Sequence, residues 1–131
     1  MILVDADFYI ALSLEMDSNH SKAFAIAKSL DLSGEVITTW EVVDEVITKL
    51  AYYQSRKIAL QFIVYLLNSK TRIEYITIGN QEKIFQLFQK QASKKVSLTD
   101  CANMVIAKEF GVATICSFDH HYEQNGFKLQ T

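Results

Sequence analysis

The sequence predicts an α/β domain of three layers, with a central, mostly parallel sheet covered by helices on both faces. Four short runs carry the strand signal: Ile2 to Val4, Glu35 to Thr38, Glu74 to Ile78 and Ala113 to Ser117. They are rich in β-branched residues and bounded by polar or turn residues, as strands buried on both faces require. Between them lie longer segments with helical periodicity. Strands alternating with helices build parallel sheets through right-handed crossovers, which line up the strand carboxyl ends along one edge. Ligands of open α/β sheets bind at that edge.

The first strand, ILV, runs into Asp5-Ala-Asp7 and the apolar FYIAL, where either aspartate can cap the helix that follows. A helix is expected over His20 to Leu30, ahead of the second strand. The next helix, Glu41 to Tyr52, gathers Val42, Val43, Val46, Ile47 and Leu50 into one apolar stripe. At about 100° per residue, Asp44 and Glu45 border opposite edges of the stripe and Glu41 points away from the core. Periodicity does not choose between Asp44 and Glu45. Lys57 to Leu67 reads as a buried helix, and its apolar stretch is too short to cross a bilayer.

Helices over Gln81 to Gln91 and Thr99 to Phe110 follow the third strand. The second of these is apolar almost all round, through Cys101, Ala102, Met104, Val105, Ile106 and Phe110. Asp100, Asn103 and Ala107, at i, i+3 and i+7, form a narrow small or polar strip on it. Ser97-Leu-Thr-Asp100 fits a capping box, which gives Asp100 a structural use. A buried charge and amide on that strip still need partners, which a metal ion with its waters would supply. Asp119, in SFDHHY after the last strand, is placed to cap a short helix.

The chain has 131 residues, no proline, no repeat and no linker-like tract, so residues 1–131 are read as a single domain. Half of the residues are apolar and the mean hydropathy is slightly positive, which implies that a partner, a second copy or a bound regulator covers some apolar surface. The opening MILVD has no basic region and no small-residue cleavage site, so a secretory signal and a membrane span are not expected and the cytoplasm is. Cys101 and Cys116 lack metal-ligand spacing and read as core hydrophobes. A net charge of −2 excludes a global nucleic-acid signature. Arg56 with Lys57, Lys70 with Arg72, and Lys90 with Lys94 and Lys95 are solvated faces or local phosphate rims. His20, His120 and His121 are weighed as ligands or general acids, but none stands at i, i+3 or i+4 from another on a convincing helix, and the His120-His121 pair reads as a polar loop. Tyr52, Tyr53, Phe85 and Phe88 read as core or interface.

Asp5, Glu45, Asp100 and Asp119 are far apart in sequence, yet each borders an apolar run that a compact α/β domain can bring to one edge. Two carboxylates about 4 Å apart repel by roughly 4 kcal/mol at an effective dielectric near 20. No Lys or Arg adjoins any of the four in sequence. A hard divalent cation bound by oxygens is the simplest remedy.

In this order and spacing, ILVDADFYIAL, TTWEVVDEV, SLTDCANMVIA and TICSFDHHYEQNGF resemble a PIN domain, in the short single-domain form of the VapC-type toxins. The resemblance spans nearly the whole chain and implies the three-layer PIN-like fold. It implies an acidic quartet at Asp5, Glu45, Asp100 and Asp119, choosing Glu45 over Asp44. Ser117 and Asn103 match site neighbours. Asp7 departs from the family's usual small hydroxyl or amide residue, and is a candidate addition to the site. The implied activity is hydrolysis of RNA phosphodiesters by an endoribonuclease that uses Mg2+ or Mn2+. The implied partners are an RNA substrate, a small antitoxin protein and a second copy of the chain.

Two other readings stand beside it. Asp5-Ala-Asp7 after a first strand has the spacing of haloacid-dehalogenase-like phosphatases. Phe8 and Tyr9 replace the small residues expected there, and no late paired-acid motif follows. A catalytically inactive PIN-like binding module, docking a partner through its apolar surface, is the other.

Overall fold

The computed structural model describes residues 1–30 and 34–130. In chain order these form β1 (Ile2–Val4), α1 (Ala6–Ser13), α2 (His20–Leu30), β2 (Val36–Thr39), α3 (Trp40–Tyr53) and α4 (Arg56–Asn68), followed by β3 (Arg72–Glu74), α5 (Ile78–Gln89), α6 (Leu98–Glu109), β4 (Thr114–Cys116), α7 (His121–Gln124) and β5 (Lys128–Leu129). The strands make one sheet in the order β3-β2-β1-β4-β5, with every pairing parallel. The first three strands step outward to one side of β1, and the next two step outward to the other. The winding therefore reverses between β1 and β4, the topological switch point where the carboxyl-end loops diverge and leave a crevice.

Side chains alternate across the sheet and feed two cores. On one face Val4 and Cys116 pack with Phe8, Tyr9, Val42, Val46, Leu50 and Phe62 of α1, α3 and α4. On the other, Leu3, Ile37 and Ile115 pack with Ile84, Met104, Ile106 and Tyr122 of α5, α6 and α7. Leu3, Ile37 and Ile115 have no solvent exposure, and each burial of this kind contributes about 1.5–3 kcal/mol. The buried Thr38 hydroxyl donates to the Val4 carbonyl at 2.7 Å and ties the ends of β2 and β1 together. Gly111, at φ 69°, ends α6: the Val112 N–H bonds back to the Ala107 carbonyl at 2.7 Å, and the chain turns into β4.

Several boundaries differ from the sequence reading. The third strand lies at Arg72–Glu74, not at 74 to 78, because Asn80 accepts from the Thr77 N–H in a capping box and Ile78 already opens α5. The helix expected from Thr99 starts at Leu98, after the Ser97 cap. The α4 helix buries Ala59, Phe62 and Leu66 only, and Leu60, Val64 and Leu67 face solvent. Tyr52, Tyr53, Phe85 and Phe88 are likewise exposed and contribute surface, not core. No helix among the described residues is long and apolar enough to cross a membrane.

Candidate functional site

The carboxyl end of β1 delivers the first acid. Asp5 leaves the strand with extended backbone and caps α1, its Oδ1 accepting from the Ala6 N–H at 2.7 Å. Its own N–H donates to the Cys116 carbonyl at 3.0 Å, which continues the β1–β4 pairing and fixes it beside Ser117. Asp7 lies in the first turn of α1 and reaches across the switch point. Its Oδ2 accepts from the Ser117 hydroxyl at 2.9 Å and the Phe118 N–H at 2.8 Å. Its Oδ1 is buried with no hydrogen-bond partner.

The second acid comes from α6. Ser97 and Asp100 cap that helix reciprocally, the Asp100 N–H donating to Ser97 Oγ at 3.0 Å and the Ser97 N–H to Asp100 Oδ2 at 2.9 Å. One turn further on, the fully buried Asn103 donates to Asp5 Oδ1 and to the Tyr122 hydroxyl oxygen, both at 3.1 Å. Its carbonyl accepts from Thr39 Oγ1 at 2.8 Å, and Thr39 also caps α3. The ends of β1 and β2, the amino end of α6 and the short α7 are thus joined through one amide.

The Tyr122 hydroxyl, fully buried, is 2.8 Å from Asp5 Oδ2 and 3.2 Å from Asp100 Oδ1. A phenol carries one proton, so it cannot serve both carboxylates. Next to it, His121 is 6% exposed, with Nε2 3.0 Å from Asp100 Oδ2 and Nδ1 3.0 Å from Asp119 Oδ1. Asp119 is half exposed. Asp100, Asp119 and His121 each offer a ligand atom, all within 4.8 Å of one another.

Glu45 stands apart from this network. It is partly buried on α3 and pairs with Lys49 at 3.7 Å; among the described residues no hydrogen bond or ion pair joins it to the aspartates. Asp44, the other residue that periodicity left open, is exposed and accepts from the Thr48 hydroxyl. Glu41, expected to point away from the core, instead holds Oε1 buried without a hydrogen-bond partner. Of the basic rims, Arg72 pairs with Glu35 and Glu74 at the amino end of β3, the sheet edge opposite the aspartates.

Burial, with repulsion from Asp7 and Asp100, pushes the Asp5 carboxyl up to about 8, against the Ala6 N–H and the Tyr122 hydroxyl, which favour its ionised form. Burial also raises Asp7, with a further push from Asp119, while the Phe118 N–H and the Ser117 hydroxyl oppose it. The Tyr122 hydroxyl is raised by burial and then by Asp5 and Asp100, so it remains a neutral donor. The cluster is short of positive charge and of donors: one phenol proton between two acids, an orphaned Asp7 oxygen, and carboxylates that burial holds toward protonation. A divalent cation held by oxygens fits that deficit, and Asp5, Asp7, Asp100 and Asp119 are the oxygen donors available.

Tyr122 was missed in the sequence, and His121, weighed there as a ligand, was set aside in favour of a polar loop. The expected polar loop at His120-His121 is the start of α7, which buries His121, and the cap is His120, with no side-chain bond to the helix backbone, not Asp119. Four residues are too few for periodicity to report. The signal available was the Tyr at position 122, an aromatic with a polar tip two residues beyond an exposed histidine.

The PIN domain family matches residues 2–128 of the chain. Among solved structures, Mycobacterium tuberculosis VapC20, described as a Sarcin-Ricin loop cleaving toxin, superposes with a TM-score of 0.87 at 22% identity, over 97% of this chain and 96% of that one. At that identity the likeness establishes the fold. No curated protein matches the sequence.

Proposed function

The chain belongs to the PIN domain family, and from that premise we propose that it is a metal-dependent endoribonuclease, one domain over residues 1–131, acting as the toxin of a type II toxin–antitoxin pair in the cytoplasm. The observation that carries the reading is the convergence of Asp5, Asp7 and Asp100, with Asp119 at the rim, at the switch point of the sheet. Asp5, Asp100 and Asp119 would hold one divalent ion, Mg2+ or Mn2+, and Glu45 would serve a second. When bound, such ions supply a water of lowered pKa and neutralise charge on the phosphate under attack.

The remaining work falls to the chain. Asn103 and Tyr122 hold Asp5 in one orientation from both of its oxygens. Ser117 holds Asp7 and receives the Asp119 N–H at 3.1 Å, setting the height of the β4–α7 loop over the site. Thr39 fixes the Asn103 amide, so the second strand contributes to aim without touching substrate. The substrate is RNA with an accessible loop or single strand, whose backbone can reach acids at a sheet edge. That VapC20 is described as cleaving the Sarcin-Ricin loop supports an RNA loop as the substrate here.

Exposed apolar side chains on several helices support the protein partners, a second copy and a small antitoxin. Trp40 stacks on Tyr75 at 6.0 Å, Ile78 and Phe85 are exposed on α5, Tyr52 and Tyr53 are exposed at the end of α3, and Leu60 and Val64 are exposed on α4. The test is incubation of the purified protein with structured RNA and Mg2+ or Mn2+, beside Asp100→Asn. Cleavage by the wild type alone is expected, and equal cleavage by both proteins rejects the site. Trapping of an aspartyl-phosphate analogue on Asp5 would instead favour the phosphatase reading. An intact complex whose melting is insensitive to divalent ions would favour the inactive module.

A further inference from the structure

The imidazole of His121 has no use in the mechanism above, yet it is 6% exposed and wedged between two of the proposed acids. Its Nε2 is buried and makes no hydrogen bond, although Asp100 Oδ2 is only 3.0 Å away. A buried ring nitrogen with no hydrogen-bond partner, 3.0 Å from a carboxylate oxygen, is an unfavourable arrangement unless a cation is shared between them. Neighbouring ligand atoms of an octahedral ion with bonds of about 2.1 Å are themselves about 3.0 Å apart. The other ring nitrogen, Nδ1, is 3.0 Å from Asp119 Oδ1.

We propose that His121 is a nitrogen ligand of the ion at this site, coordinating through Nε2 beside Asp100, with its Nδ1–H held by Asp119. This rests on the metal-site reading above and extends it: Asp119 orients the imidazole as well as adding charge, in the manner of a carboxylate–histidine–metal triad. The chemical consequence is selectivity. Mg2+ takes oxygen ligands and parts with its waters reluctantly, whereas first-row transition ions accept imidazole readily. The site therefore discriminates for a divalent transition ion over Mg2+, which an all-carboxylate site does far less. His121 is the feature that adds this preference, since the remaining donors of the cluster are hard oxygens.

Mn2+ is the probe that reads the bond directly. Electron spin-echo modulation of the wild-type protein loaded with Mn2+ is expected to show coupling to a directly bound nitrogen. Labelling the histidines with nitrogen-15 is expected to change that coupling, and His121→Phe is expected to remove it. By calorimetry His121→Phe weakens Mn2+ binding by about 10-fold or more while Mg2+ binding changes much less, and Asp119→Asn keeps the coupling with about 10-fold weaker binding. The wild-type spectrum decides the matter even where His121→Phe fails to fold. Mn2+ that binds the wild type, is lost on Asp100→Asn and shows no nitrogen coupling overturns the assignment of His121 and leaves the acidic site intact. A wild type that binds no Mn2+ overturns the metal-site reading itself.

Discussion

Without metal, the protein should lose stability as the pH rises, and Asp5 is the residue responsible. It is 5% exposed, and its carboxyl is pushed up to about 8 from an ordinary 3.8 by burial and by repulsion from Asp7 and Asp100. The unfolded chain releases this proton near pH 4, and the folded chain keeps it until near pH 8. Between those limits the native state binds more protons than the unfolded state, so the stability present below pH 4 drains away toward pH 8. The slope approaches about 1.4 kcal/mol per pH unit, so moving from pH 5 to pH 7 costs about 3 kcal/mol, or roughly 10 °C in Tm for a domain of this size. The shift of Asp7 has the same sign. Calorimetric melts in EDTA at pH 5, 6 and 7 measure the effect directly. Asp5→Asn should flatten the profile and leave the metal-free protein more stable than wild type near pH 8, since the Tyr122 hydroxyl can turn to accept from the new amide. Mn2+ should reverse the trend, because binding expels the proton and so tightens with pH. A wild-type Tm that is flat or rises from pH 5 to pH 7 in EDTA, or an Asp5→Asn protein with an undiminished slope, refutes the reasoning.

Tyr122→Phe takes a donor from Asp5 and an acceptor from Asn103 at a fully buried position; a loss of about 1–3 kcal/mol is expected in urea unfolding, and an unchanged midpoint contradicts the network. Thr39→Val leaves the Asn103 carbonyl without its donor and strips the cap from α3, for a combined loss of about 2–4 kcal/mol; Thr39→Ser, which keeps both bonds, should recover most of it. Glu45→Gln breaks only a half-exposed pair with Lys49, so its stability should change by less than about 0.5 kcal/mol. Its RNA cleavage should still fall, by less than that of Asp100→Asn, and wild-type rates would remove Glu45 from the site.

The layered fold was legible because buried parallel strands and amphipathic helices have different periods. Ile2 to Val4 lies in the sequence as it lies in the sheet, and the Thr39 hydroxyl at the end of β2 caps the helix bearing the stripe from Val42 to Leu50. Three things were not legible. Lys128–Leu129 is a two-residue edge strand, recognisable only by its pairing to Thr114 and Ile115. The third strand was drawn toward Ile76 and Ile78 by their β-branched side chains, where the Asn80 capping box starts a helix and leaves Ile78 88% exposed. The small polar strip on α6 correctly marked Asn103 as a buried amide in need of partners, but those partners, Thr39 and Tyr122, are 64 and 19 residues away. Asp5 and Asp100 were named as candidates, but each also caps a helix, and only the fold shows both caps opening toward one hydroxyl.

The most direct test is a crystal structure of the wild-type protein grown with Mn2+, with anomalous data collected near the manganese edge. An anomalous peak within coordination distance of Asp5 and Asp100 at the carboxyl ends of β1 and β4, and absent from Asp100→Asn crystals, is the expected result. Saturating Mn2+ with no peak there, or with ions only at surface carboxylates such as Glu15 or Glu82, would contradict it.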